Sequence, residues 1–243
     1  MKTSVAAPAA ALGFVACAAA VGAAGASVLS DPVASLDTPA APWHVVGLPR
    51  QTKTLTRYRV IERDGHRLLE IDAQASYGTL VHELADGVAA RQLSWSWRVE
   101  RDNPMTVLRI KAADDHVAVV CALFDLPLAA VPFVERQLLR VARLFSGRSL
   151  PAASLCYAWD ARLPRDTVLM SPFTRRVRLI VLRGIGEPLQ AWQQEVRDLP
   201  SDFQRLFGGE SAVTPPLRAV VIAADADNTG GHSIAHLRGL ELR

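Results

Sequence analysis

The sequence predicts a mainly β chain, folded as a β-sandwich or jelly roll with two helical insertions. Three observations lead there. Short strand-like runs follow one another with Gly, Asp and Pro turn signals between them. Several of these runs alternate apolar and polar residues with a period of two. Only two stretches carry a helical period, and they do not alternate with strands, which sets aside doubly wound and α/β-barrel architectures.

The elements follow in chain order. "MKTSVAAPAAALGFVACAAAVGAAGAS" opens with one Lys and continues as an Ala/Val/Gly run without an acidic residue. It reads as a signal peptide over residues 1–26, with Ala24-Gly25-Ala26 as a small-residue cleavage site before Ser27. Two alternatives are an uncleaved anchor and a lipid anchor at Cys17, which follows Phe14-Val15-Ala16 much as in a lipobox. Residues 27–42, rich in Pro and small side chains, read as a linker before a domain spanning 43–243.

Within that domain, 56–84 reads strand, turn at Asp64-Gly65, strand, turn near Tyr77-Gly78, strand. In "RQLSWSWRVE" Leu93, Trp95, Trp97 and Val99 share one face, and Ser94, Ser96 and Arg98 the other. "TVLRIKAADDHVAVVCALFD" reads as two strands joined around Asp114-Asp115. "SLCYAWD", "RRVRLIVLRG", "LRAVVIAAD" and a short "HLRGLELR" complete the β signal. The first helical insertion is expected near 128–146, with Arg136, Arg140 and Arg143 on its polar face and Gly147 as a C-cap. The second is expected near 188–208. Trp192, Val196 and Leu199 share one face there, Pro200 interrupts it, and Ser201 caps a short following helix.

The chain has 243 residues and a net charge of +3, and its cations are Arg apart from Lys2, Lys53 and Lys111. No basic block interleaved with aromatics is present, so no nucleic-acid partner is expected. Cleavage at 26 would leave Cys121 and Cys156. In an oxidising compartment they suggest one disulfide, and two buried thiols are the alternative.

The polar motif that invites a function is "AADADNTGG", residues 223–231, directly after an apolar strand. Asp225, Asp227 and Asn228 could supply three hard oxygen ligands to Ca2+. An Asx-type turn with Gly230-Gly231 explains the same residues without a metal. Asp114-Asp115-His116 forms a second polar knot, and the two would converge if both loops reach one rim, with His116 or His232 close by. Trp95, Trp97 and Trp159 could stack on sugars, but their alternation suits a core, and Trp43 is the better exposed candidate. Glu70, Asp72, Glu100 and Asp160 offer carboxylates for hydrolysis, although no spacing selects a pair. The Arg136/Arg140/Arg143 face could meet an anionic lipid or polymer, or stand solvated. Motifs of serine hydrolases and zinc proteases are absent.

Taken in order, "LSWSWRV", "IKAADDHVAVVCALFD", "SLCYAWD", "SPFTRRVRLIVLRG", "WQQEVRDLPSDFQRLFG" and "AVVIAADADNTGGHSIAHLRGLEL" resemble the bacterial family called domain of unknown function 3047, over roughly residues 43–243. The resemblance implies an exported, jelly-roll-like sandwich similar to carbohydrate-binding domains, with no activity assigned. It draws attention to Asp114, Asp115, Trp159, Asp160, Ser171, Arg197, Asp198, Asp225, Asp227, Asn228, Thr229 and Gly230. Ala226 stands where the family often has Thr.

The expectation is therefore a non-catalytic, periplasmic protein that binds a glycan or envelope polymer through one rim. The alternatives are a polysaccharide-acting enzyme using Asp114, Asp115, Asp225 and Asp227, and a protein-interaction scaffold that docks through the helix at 134–145. Ca2+ is the one cofactor in view, and no membrane span is expected after cleavage.

Overall fold

A computed structural model describes residues 27–243 apart from 90 and 147–149. The expected signal peptide, Cys17 and the Gly147 cap therefore lie outside the described residues. No helix among the described residues is long and apolar enough to cross a membrane.

The chain forms a two-sheet β-sandwich with two α-helices. Its strands are β1 (His44–Val46), β2 (Arg57–Arg63), β3 (His66–Gln74), β4 (Thr79–Val88), β5 (Gln92–Arg101), β6 (Ala118–Phe124), β7 (Ala153–Trp159), β8 (Val168–Met170), β9 (Val177–Arg183), β10 (Gln193–Asp198), β11 (Leu217–Ala223) and β12 (His232–Leu242). The helices are α1 (Phe133–Ser146) and α2 (Leu199–Phe207). One sheet runs β1-β4-β11-β6-β7-β9-β8 and the other β10-β5-β12-β3-β2. Neighbours are antiparallel except β7 and β9.

Local chemistry explains the elements that alternation foretold. Asp64 and Gly65 both take positive φ, at 54° and 72°. They form the two-residue turn that keeps Arg63 opposite His66. On β5 the expected inward residues, Leu93, Trp95, Trp97 and Val99, are buried between the sheets. Trp95 meets Tyr157 at 5.5 Å between ring centroids and Trp97 meets Trp159 at 5.8 Å, so aromatics from facing sheets join the two layers. β7 is buried along its whole length. Its outer face packs Cys156 and Ala158 in a second apolar cluster with Leu108 and Leu169. That double burial is why its sequence is nearly continuously apolar.

Several expectations need correction. Residues 27–42 are not a free linker. Val28 N–H donates to the Leu242 carbonyl, and Leu29 and Val33 enter the main core. Trp43 is buried, with its ring N–H on the Ser30 carbonyl, so it is no exposed platform. The stretch before Asp114 is turn and a short 3-10 helix (Lys111–Ala113), not a strand. The last strand is longer than expected, at 11 residues.

The second helical insertion starts at Leu199 rather than near 188. Residues 193–198 instead extend along the edge of β5, from Gln193 opposite Trp97 to Asp198 opposite Gln92. The apolar residues at 192, 196 and 199 suggested a helical face, but pairing with an open sheet edge outweighs a weak local preference. Glu195 points inward there, accepting from Trp97 Nε1 at 2.9 Å and Arg183 Nε at 2.6 Å. Asp198, not Ser201, is the N-cap of α2, accepting from the Ser201 N–H at 2.8 Å.

The sandwich thus has two unlike ends. Loops leading into β6 and out of β7 and β11 meet at one end. The connections carrying α1 and α2 lie at the other.

Candidate functional site

The site begins where β11 runs out. Ala223 is its last residue, and Ala224 and Ala226 stay buried while Asp227 and Asn228 turn towards solvent. Two backbone bonds fix the exit: Asp225 N–H donates to the His116 carbonyl and Ala226 N–H to the Ser76 carbonyl, both at 2.9 Å. Gly230 takes φ +69°. A Cβ on Gly231 would fall within 2.4 Å of the Asn103 side chain. Glycine is required at 230 by conformation and at 231 by close approach.

Asp115 ties the two polar loops together. Its Oδ1 accepts from Asn228 N–H at 3.0 Å and from the Asn228 side-chain amide at 3.2 Å. Its Oδ2 accepts from Thr229 N–H at 2.9 Å and from the Thr229 hydroxyl at 2.5 Å. A fully buried carboxylate thereby has four donors. Thr229 Oγ1 in turn accepts from Asn103 Nδ2 at 3.0 Å. The convergence expected of the 114–116 and 225–229 loops is therefore present.

Electrostatics divides the four aspartates. Asp225 Oδ1 accepts from the His116 backbone N–H at 2.5 Å and lies 3.2 Å from its Nδ1. Burial opposes charge on the His116 ring, but Asp225, Asp114 and Asp115 outweigh it and raise its pKa to about 9. His116 is thus a cation at neutral pH. Asp114 is held above the usual carboxylate range by burial, with Asp225 and Asp115 adding to the rise and His116 opposing it. Its Oδ2 accepts from the Ser171 hydroxyl at 3.3 Å, and its Oδ1 has no hydrogen-bond partner among the described residues. Asp227 is also raised, by burial and then by Asp225 and Asp115, against Lys53. Lys53 Nζ reaches the Asp227 carbonyl at 2.5 Å.

Oxygens of Asp115, Asp225 and Asp227 lie within 4.8 Å of one another, so these three are the carboxylates that could share a cation. This differs from the Asp225, Asp227 and Asn228 set read from the sequence. Asn228 turns its amide nitrogen to the Asp114 carbonyl and to Asp115. The lone pairs of Asp115 already meet four donors, and His116 supplies a positive charge beside Asp225.

An open groove of about 370 Å3 borders this rim, lined by Gln74, Arg101, Asp102, Asn103, Met105, Gly230 and His232 among others. A second of similar size, about 370 Å3, shares Gln74 and adds Thr54, Arg57, Asp72 and Ser76. His232 Nε2 lies 2.8 Å from Asp72 Oδ1, on the wall between them. Phe173 is exposed on the loop that Ser171 ties to Asp114, with Lys111 Nζ 5.6 Å from its ring centre. Sequence reasoning missed Gln74, Arg101, Asn103 and Phe173, because each sits at a strand end or loop whose neighbours are remote in sequence.

The other candidates are engaged in packing, turns and caps. Trp159 is core, packed on Trp97. Asp160 is a buried turn residue whose Oδ1 accepts from the N–H groups of Arg162 and Leu163. Arg197 grips Asp202 at 2.9 and 2.7 Å and lies over the Tyr157 ring, so it docks α2. Asp198 caps that helix. Cys121 and Cys156 face each other across β6 and β7 and form a disulfide, which decides between the two readings. On α1, Arg143 donates to the Leu150 carbonyl and Arg136 lies by Phe133, which leaves Arg140 as the exposed arginine of the three.

A family profile described as "Protein of unknown function (DUF3047)" matches residues 41–241, and the chain belongs to that family. No curated protein matches the chain.

Proposed function

We propose that this member of the DUF3047 family is an exported cell-envelope protein that binds a glycan or envelope polymer at the rim described above, without catalysing a reaction. One observation carries the reading. The loops 114–116 and 225–231, remote in sequence, are bonded into one rim beside an open groove of mixed polar and apolar lining. An open groove with several convergent polar groups can orient a hydroxyl-rich, extended ligand. Phe173 is an exposed aromatic on the loop that Ser171 ties to Asp114. Export is supported by the N-terminal sequence and by the Cys121–Cys156 disulfide, which persists in oxidising compartments.

Hydrolysis by these carboxylates is the weaker reading. Asp115 is committed to four hydrogen bonds and His116 is charged, so neither is free as a general base. A calcium ion between Asp115, Asp225 and Asp227 would need to displace donors already in place. The test is binding of the purified protein to an array of cell-wall and capsular glycans, beside Phe173→Ala. Retention of one glycan class, weakened at least tenfold in the variant, is expected. Absence of binding to every class would end the reading.

A second reading, docking of another protein, is favoured by α1. Val134, Leu138 and Val141 recur at helical spacing and are 66%, 61% and 49% exposed. Crosslinking through a cysteine placed at Leu138 would capture such a partner in cells.

A further inference from the structure

The outward face of the five-stranded sheet carries a patterned array of charge. Its register aligns Arg57, Asp72, Ile234 and Arg101 in one row across β2, β3, β12 and β5. The next row holds Arg59, Glu70, His236 and Arg98. Arg63 and Arg238 stand beside these rows. Arg63 lies 3.5 Å from Glu100, and the Arg238 guanidinium lies 4.1 Å above the Trp192 ring. Six arginines, at 57, 59, 63, 98, 101 and 238, therefore stand in or beside these rows with three carboxylates, Glu70, Asp72 and Glu100, while Glu241 further along β12 pairs with Arg243 and Asp102 in the adjoining groove pairs with Arg162.

A bulge builds part of this face. Ile234 pairs with Arg101 but Ala235 with Val99, so β5 carries one extra residue. The bulge turns Arg101 to the outward side, into the groove with Gln74 and His232. Without it, strict alternation would send Arg101 inward with Val99.

The carboxylates are already bridged. Asp72 holds His232 at 2.8 Å, and Arg57 stands 4.0 Å away. Glu70 holds Arg59 at 2.5 Å and His236 at 3.4 Å. Glu100 binds Arg98 and lies 3.1 Å from His236. The side chains of Arg57, Arg59 and Arg63 remain 59%, 48% and 47% exposed. Arg101 and Arg238 carry no carboxylate partner among the ion pairs of the described residues.

We propose that this face, continuous with the groove at Arg101 and His232, binds a linear polysaccharide bearing carboxylate groups. The proposal rests on the glycan-binding reading and names the class of glycan. Guanidinium groups bind carboxylates in pairs of parallel hydrogen bonds. The rows span roughly 15 Å across four strands, which suits an extended polymer. Glu70, Asp72 and Glu100, placed among the arginines, can accept hydrogen bonds from sugar hydroxyls, donors that the phosphodiester backbone of DNA lacks. Trp192, the one tryptophan on this face among the described residues, has the guanidinium groups of Arg238 and Arg98 at 4.1 and 5.3 Å from its ring centre, so its ring is already engaged and is a poor stacking platform for bases.

The experiment is titration of the full chain with polygalacturonate and with the same polymer fully methyl-esterified, beside Arg101→Gln and Arg57→Gln/Arg101→Gln. Melting temperatures are followed in parallel. Expected is binding of the acid form, at least tenfold weaker for the ester, and at least tenfold weaker in the double variant at an unchanged melting temperature. Equal binding of acid and ester would overturn the carboxylate assignment and leave glycan binding standing. Binding of single-stranded DNA as tight as polygalacturonate would reduce the face to an unselective cationic surface and also overturn it. Binding of neither polymer, with a glycan array equally blank, would remove both readings.

Discussion

Thr229 gives both its backbone N–H and its hydroxyl to one oxygen of Asp115, a residue 114 positions earlier in the chain. Asn228 gives two further donors to the other oxygen. A single buried carboxylate thus closes the rim. Asp115→Ala leaves four donors without their acceptor and should cost about 3 kcal/mol of stability. Asp115→Asn should cost about half as much. Urea unfolding reads this as a lower midpoint at unchanged slope. A midpoint unmoved in Asp115→Ala would show that the rim does not depend on this carboxylate.

Calcium should move the melting temperature by less than Asp115→Ala does. The oxygens of Asp115 are engaged, and His116 offsets the charge of Asp225. Melting in millimolar calcium and in chelator checks this. A rise of several degrees, absent in Asp227→Ala, would instead make the rim a metal site.

Stability should fall as pH rises from neutral. The pKa of His116 is raised from 6.5 to about 9 in the folded protein. The folded state therefore binds the proton more tightly than the unfolded chain. That stabilisation is complete below pH 6.5 and is lost as pH climbs through about 9. Melting scans from pH 6 to 10 should show the loss, and His116→Gln should flatten the curve over that interval.

Glu210 acts in the opposite direction at the other end of the sandwich. Burial would raise its pKa, but Arg176 and Arg178 lower it below 4.5. Its contribution is present above pH 4.5 and is lost as pH falls through its folded value. Glu210→Gln should remove part of the acid sensitivity and leave the alkaline limb unchanged.

Reducing Cys121–Cys156 should destabilise the fold by about 3–4 kcal/mol, the loop-entropy expectation for its 35-residue separation. Denaturant titration with and without reductant measures this. A Cys121→Ala/Cys156→Ala double variant should not respond to reductant.

Adjacent leucines of α1 should behave oppositely. Leu139 is buried, so Leu139→Ala should cost about 2–4 kcal/mol. Leu138 is exposed, so Leu138→Ser should stay within about 0.5 kcal/mol. A large loss at Leu138 would mean that the stripe is covered in solution.

The sequence alone determined the β-sandwich, the Asp64-Gly65 hairpin and the tryptophan core. Each is written within a few consecutive residues, as an alternation or a turn pair, because a half-buried strand repeats its environment every second residue. It also pointed to the two polar knots. Tertiary structure decided what these residues meet. It made β10 a strand, because an open edge of β5 was there to pair with. It placed Trp159 and Arg197 in packing roles and joined Asp115 to Thr229. It assembled the arginine rows from four strands and aimed Arg101 by a bulge. Contacts of this kind depend on register between segments far apart in the chain, and local periodicity carries no record of register.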